Sequence, residues 1–325
     1  MASSTQHPVR TAVLAVGAVG AAAAVWGIGI ERHLYTLRRH TVAVLAPGSA
    51  PIRVLHISDV HMAPWQRRKQ AWIASLASLR PDLIINTGDN LGHPDAVRGI
   101  RAAFAGFRGI PGAFVHGSND LFASAPRNPL RYFLGPSKNH SREVRLDTEA
   151  MDSFFTSTLG WHDVNNAAAT VDVHGRRVNL VGVNDAHRNW DRLDLLPGLF
   201  DQLQAASTDL DGDGLADPEA DPHPLTVAVT HAPYRRVLDA FTGAGADVIF
   251  GGHTHGGQVR VPGFGALVAN CDIPLKQASG LSSWHRLGHT AALNVSAGLG
   301  HSIYAPVRFA CPPEASLLTL VAREA

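Results

Sequence analysis

Five short apolar runs in this chain end in the same way, in a carboxylate, an amide or an imidazole set among small residues. Residues 52–57 run into Ser58-Asp59-Val60-His61, and residues 83–86 into Gly88-Asp89-Asn90. Residues 113–116 lead to Gly117-Ser118-Asn119-Asp120, and residues 226–230 to His231-Ala232-Pro233. Residues 248–250 lead to Gly251-Gly252-His253-Thr254-His255-Gly256-Gly257-Gln258. Apolar runs of this length, bounded by turn residues, read as strands buried on both faces. Among them, Trp72, Ile73, Leu76 and Leu79, and then Val97, Ile100, Phe104 and Phe107, recur at helical spacing. Strands alternating with helices predict an α/β fold with a largely parallel sheet. Ligand sites in such sheets lie outside the carboxyl ends of the strands, so the five polar blocks are expected to converge on one edge.

One Asp or His after a strand is ordinarily a helix cap or a turn residue. Five in succession require another reason. Asp59 and His61 are two apart, His253 and His255 repeat that spacing, and flanking glycines allow the backbone conformations of a tight ligand shell. Asp59, Asp89, Asn119, His61, His231, His253 and His255 supply seven nitrogen and oxygen donors. That is too many for one tetrahedral zinc and suits two ions sharing a bridging carboxylate. Such a pair clamps the attacking and leaving oxygens in phosphoryl transfer. The 18 histidines, against four tyrosines and three methionines, agree with a metal site.

In the same order, Asp59-Val60-His61, Gly88-Asp89, Gly117-Ser118-Asn119-Asp120, His231 and Gly252-His253-Thr254-His255 resemble the D-x-H, G-D, G-N-H-D/E, H and G-H-x-H blocks of the calcineurin-like metallophosphoesterase superfamily. The resemblance covers about residues 52–260. The G-H-T-H-G-G-Q form, behind an N-terminal hydrophobic segment, is similar to a bacterial membrane-associated branch, and residues 296–300 with 304–309 look like its actinobacterial members. The resemblance implies a four-layer α/β/β/α sandwich. It also implies two divalent cations, of Mn, Fe, Zn or Co, with Asp59, His61 and His255 on the first, His231 and His253 on the second, and Asp89 bridging.

The third block departs from the family, which has Asn then His where this chain has Ser118 then Asn119. Either Ser118 replaces the ligand amide and Asn119 the catalytic imidazole, or the loop shifts by one and Asn119 remains the ligand. The second is favoured, because an amide oxygen binds hard cations better than a neutral hydroxyl. Asn119 and Asp120 are then expected at the reacting centre beside Asp89. The missing acid calls for a substitute among His116, His140 and His187, with His187 first because Asp185-Ala186-His187 follows a strand. Arg188 and Lys138 are candidates for steadying phosphate charge.

The expected reaction is attack by a metal-bound hydroxide on a phosphate ester or pyrophosphate. The rival reading, for which the missing imidazole speaks, is a non-catalytic metal- and phosphate-binding membrane protein. A nuclease is disfavoured by a net charge of +1, and no nucleic-acid partner is expected.

Residues 11–30 carry no charge and are long enough as a helix to cross a bilayer. The expected organisation is a membrane anchor or signal helix over residues 1–31, a linker over 32–50 and a catalytic domain over 51–325. An anchored enzyme makes a phosphorylated lipid or envelope precursor the natural substrate, besides phosphorylated small molecules. Which side of the membrane holds the domain is open, and a cleaved signal would make the protein secreted. Asp209, Asp211, Asp213 and Asp217 reproduce the opening of a calcium loop, but Ala220 stands where the bidentate Glu belongs, so a flexible acidic insertion is the alternative. With only Cys271 and Cys311, at most one disulfide can form.

Overall fold

The computed structural model describes residues 6–123, 144–208, 224–301 and 305–324. The candidate calcium loop, Lys138 and His140 lie outside these residues. The first half of the chain contains helix α1 (Gln6–Val25), strands β1 (Thr36–Leu45) and β2 (Ile52–Ile57), and helix α2 (Arg67–Ser75). It continues through β3 (Leu83–Asn86), α3 (Val97–Phe104), β4 (Gly112–Phe114), α4 (Ser118–Leu121), α5 (Thr148–Ser153) and β5 (His162–Asp163). The second half contains β6 (Ala167–Val173), β7 (Arg176–Gly182), α6 (Leu196–Thr208), β8 (Leu225–Val229), α7 (Arg235–Gly243) and β9 (Val248–Gly251). A small hairpin of β10 (Arg260–Val261) and β11 (Gly265–Ala266) precedes β12 (Gly280–Arg286), β13 (His289–Val295) and β14 (Glu314–Ala322).

Two six-stranded sheets result, in the orders β1-β14-β2-β3-β4-β5 and β12-β13-β9-β8-β7-β6. The parallel run β2-β3-β4 in one and β7-β8-β9 in the other hold the five predicted strands. Successive side chains of a strand point to opposite faces, and the apolar runs use both. Val54, Leu83, Ile85, Val227, Val229, Val248 and Phe250 meet between the sheets. Leu55, Ile57 and Ile84 turn outward and pack with Ile100, Phe104 and Phe155 on one side, while Ala228 and Ile249 pack with Val237, Leu238 and Phe241 on the other. Three apolar layers separate four layers of secondary structure, the expected α/β/β/α sandwich. Strands β6 and β7 form an antiparallel hairpin closed by His174 and Gly175, both at positive φ.

Residues 32–50 are not simply a connector. Within them β1 pairs in parallel with β14 over most of its length and forms an edge of the first sheet. Its polar residues Arg38, Arg39 and His40 hid it from a hydropathy reading, because an edge strand buries little.

Helix α1 is continued by a π turn, Trp26–Ile30, and a 3-10 turn, Glu31–His33. Arg10–His33 is long and apolar enough to cross a membrane and is almost wholly exposed. Its end is joined to the domain. Glu31 is buried and accepts from the backbone N–H of Ala310 (3.0 Å) and Cys311 (2.5 Å), and Gly27 O accepts from Arg308 N at 3.1 Å. Cys271 and Cys311 are both free thiols.

Candidate metal centre

The five polar blocks meet at the carboxyl edge of the two sheets. Asp59, His61, Asp89, His253 and His255 all have φ between 41° and 65°, a left-handed conformation that costs a non-glycine residue about 1 kcal/mol or more. The surrounding turns impose it. His61 N donates to Asp89 O (2.9 Å), Asp59 N to Gly88 O (2.9 Å), and Gly252 N to His231 O (2.8 Å), lacing the strand ends together. Gly117 is required by close approach, since a Cβ there would collide with the Asp89 carboxylate and the His231 ring.

Among the described residues, two groups of donors lie within 4.8 Å of one another, namely Asp59, His61 and His255, and Asp59, Asp89 and His231. Asp89 Oδ2 stands 3.5 Å from both His61 Nε2 and His231 Nε2, between the two halves of the cluster. His61 Nε2 and His255 Nε2 face each other at 3.3 Å. His231 Nδ1 donates to the carbonyl of Thr87 at 2.7 Å and so turns Nε2 toward Asp89; that atom is buried without a hydrogen-bond partner, and although burial opposes protonation, Asp89, Asp185 and Asp59 hold the metal-free imidazole well above its usual value. A buried imidazole nitrogen with no hydrogen-bond partner fits a cation that displaces its proton, and the mixture of carboxylate and imidazole suits Mn, Fe, Zn or Co. Burial pushes the Asp59 carboxyl up to about 7, with His231 pulling it down and Asp89 pushing it up. Burial also opposes ionisation of Asp89, but His231, His61 and Asn119 outweigh it and hold the group well below the usual carboxylate range.

The remaining candidates separate. Asn119 reaches the cluster, its Nδ2 donating to Asp89 Oδ2 at 2.8 Å, whereas Ser118 N donates to Asp185 at 3.1 Å. His253 lies beside it, with its ring 5.1 Å from His231 and its Nε2 3.3 Å from the carbonyl of Asn270. The His187 ring is 4.4 Å from His253, and its Nδ1 is 3.1 Å from the Tyr234 hydroxyl. Asp120, expected at the reacting centre, is instead a buried brace. Its oxygens accept from the backbone N–H of Asp89, Asn90, Leu91 and Gly117. His116 is paired with Asp152 at 2.8 Å, and Arg188 stacks on Phe122 and Trp190.

Sequence reading missed a supporting chain. Asn294 Nδ2 donates to His56 Nδ1 (2.8 Å), so His56 Nε2 carries the proton and donates to Thr87 Oγ1 (2.9 Å). Thr87 then donates to Ser58 Oγ (2.6 Å), which donates to Asp59 Oδ2 (2.5 Å). The available signal was His56 itself, a polar residue inside a buried apolar run, where an unpartnered imidazole would be costly. Burial lowers His56 to about 3. A histidine depressed in the folded state stabilises fully above its unfolded pKa of about 6.5, and the contribution is lost as pH falls toward the folded value. In metal-free protein, chemical unfolding at pH 7 and pH 5 is expected to show a pH-dependent loss smaller by about 2 kcal/mol in His56→Gln than in wild type. Equal losses would contradict this account of His56.

A buried carboxylate and imidazole cluster at the strand ends of a two-sheet α/β sandwich defines a metal-dependent hydrolase. The calcineurin-like phosphoesterase profile matches residues 52–257, and the chain belongs to that family. It is a metallophosphoesterase, an enzyme of metal-dependent phosphoester hydrolysis. The uncharacterized protein YpbG of Bacillus subtilis is 25% identical over 96% of both chains. The phosphodiesterase YaeI of Escherichia coli is 24% identical over 88% of both, and the uncharacterized metallophosphoesterase YkuE of B. subtilis is 22% identical over 93% of both.

Proposed function

We propose that this enzyme cleaves a phosphate ester or pyrophosphate bond in a membrane-borne substrate, a phosphorylated lipid or envelope precursor, at a dinuclear centre. The observation that carries the dinuclear reading is Asp89 standing between His61 and His231, each 3.5 Å away. Asp59, His61 and His255 would hold one cation, Asn119, His231 and His253 the other, and Asp89 would serve both. When bound, the two cations supply Lewis acidity toward water and toward the phosphate oxygens. The membrane reading rests on the apolar helix ending in Gly27 and Glu31, which bind residues 308–311 directly.

The leaving oxygen needs a proton. His187, beside His253 and with its backbone N–H donating to Asp185 at 2.8 Å, is the group we assign to give it. The test uses metal-stripped full-length chain reloaded with Mn²⁺, acting on aryl and alkyl phosphate mono- and diesters. Turnover is expected only after reloading. His187→Asn is expected to lower kcat by about 10²-fold on alkyl esters and far less on nitrophenyl esters, whose leaving group needs no proton. Equal losses on both would remove His187 from the role. Two bound cations with no turnover on any ester would favour the binding-protein reading, with the Ser118-Asn119 departure as its cause.

A further inference from the structure

A cleft of about 450 Å³ opens beside the metal centre, between the end of the apolar helix and α2. His61, one of the donors of the first candidate cation site, lines it, and its walls carry Arg32, His33, Tyr35, Trp65, Arg67 and Arg68. Among the described residues no carboxylate pairs with Arg32, Arg67 or Arg68. Arg67 and Arg68 alone would be unremarkable solvated charges, being exposed. Arg32 differs, because its Nε is buried without a hydrogen-bond partner. Behind them Lys69 is buried and donates to Val60 O at 2.6 Å. Burial, with Arg308 and Arg32 adding to it, pushes that ammonium down to about 7. Concentrated, unneutralised positive charge beside a phosphoesterase centre calls for an anion.

The position of the cleft indicates where the anion comes from. It begins where the membrane-length segment Arg10–His33 ends. Around that end Trp26 is 42% exposed and Trp65 is 61% exposed, and tryptophan is enriched at membrane–water interfaces. The β10-β11 hairpin, with Phe264 75% exposed near its tip, is tied by Arg260 N to Phe309 O (2.9 Å), in the same loop that grips Gly27. Exposed aromatic residues are thus joined to the same end of the helix as the basic cleft.

We propose that the cleft seats the anionic headgroup of a bilayer phospholipid, with its phosphate on Arg32, Arg67 and Arg68 and against the His61 edge of the metal centre. This deepens the membrane-substrate reading above and rests on it. No bond is made or broken in the step.

The test uses the full-length, Mn²⁺-loaded chain in nanodiscs of phosphatidylcholine containing either chain-brominated phosphatidylglycerol or chain-brominated phosphatidylcholine. The readout is quenching of Trp65, taken as the difference between wild type and Trp65→Phe. Quenching by the anionic lipid is expected to exceed that by the zwitterionic one by about twofold or more, and the two are expected to become equal in the Arg32→Gln/Arg67→Gln/Arg68→Gln variant. Equal quenching in wild type, or an unchanged excess in the triple variant, would overturn the proposal. Abolition of the excess by dissolved glycerophosphoglycerol at the same bulk concentration would overturn the membrane source and leave a soluble phosphate as occupant. Because the readout is independent of turnover, a chain that hydrolyses no ester yet keeps the excess would sink the enzyme reading alone.

Discussion

Asp89→Asn is expected to lower kcat/KM on an aryl phosphodiester by on the order of 10³-fold or more, or about 4 kcal/mol of transition-state stabilisation. The substitution keeps the shape of the side chain and removes the charge that faces His61 and His231 at 3.5 Å. Two independent measurements accompany the kinetics. Metal analysis by mass spectrometry is expected to show the variant binding fewer cations than wild type. The rise in melting temperature that Mn²⁺ gives wild type should shrink with it, because ligand stabilisation scales with affinity for the folded state. The fold itself should persist, since Asp89 N still donates to Asp120 (2.7 Å) and its O still accepts from His61 N. Wild-type turnover in this variant would remove Asp89 from the centre.

Arg308→Met is expected to give the largest loss of stability, about 4 kcal/mol or more, and a fall in melting temperature on the order of 10 °C. Arg308 is fully buried. Its guanidinium donates to the carbonyls of Ala297 (2.7 Å), Gly298 (3.1 Å), Gly300 (2.5 Å) and Cys311 (3.1 Å). Methionine fills much of the volume and satisfies none of these acceptors, so their desolvation is left uncompensated. Arg308→Lys is expected to recover only part of the loss, because an ammonium cannot reproduce the planar fork. The damage should also reach the metal centre. Gly300 N donates to Asp59 O at 2.6 Å, and a Cβ on Gly298 would collide with Asp59, so this loop forms one wall of the first cation site. Differential scanning calorimetry with and without Mn²⁺ measures both effects. A melting temperature within 2 °C of wild type, against the few degrees per kcal/mol expected for a domain of this size, would contradict the assignment.

How much was legible in the sequence depended on how local the cause was. Val54, Leu83, Val227 and Val248 are apolar because their strands are buried on both faces, and that pattern is written within each run. Asp59, His61, Asp89, His231 and His255 were legible because coordination chemistry dictates residue type at a strand end. Strand β1 was not, because its pairing partner β14 is some 277 residues away and its own polar pattern resembles a loop. Asp120 shows the opposite failure. Its motif position drew it into the reacting centre, while four backbone N–H groups from two separate turns claim its oxygens.

The sequence by itself determined the five buried strands with the two helices among the first of them, the donor types and the presence of one membrane-length helix, because each follows from side-chain chemistry over a few residues. Only the tertiary structure decided that Asn119, not Ser118, reaches Asp89, that His187 and not His116 stands at the cluster, and that the apolar helix ends against a basic cleft open to His61. The reason is physical. Such contacts depend on turn conformations at unfavourable φ and on loops far apart in the chain, such as the pairing of His61 with His255, 194 residues on, or of Glu31 with Cys311, 280 residues on. These are held by the packing of the whole sandwich, and no local segment encodes them.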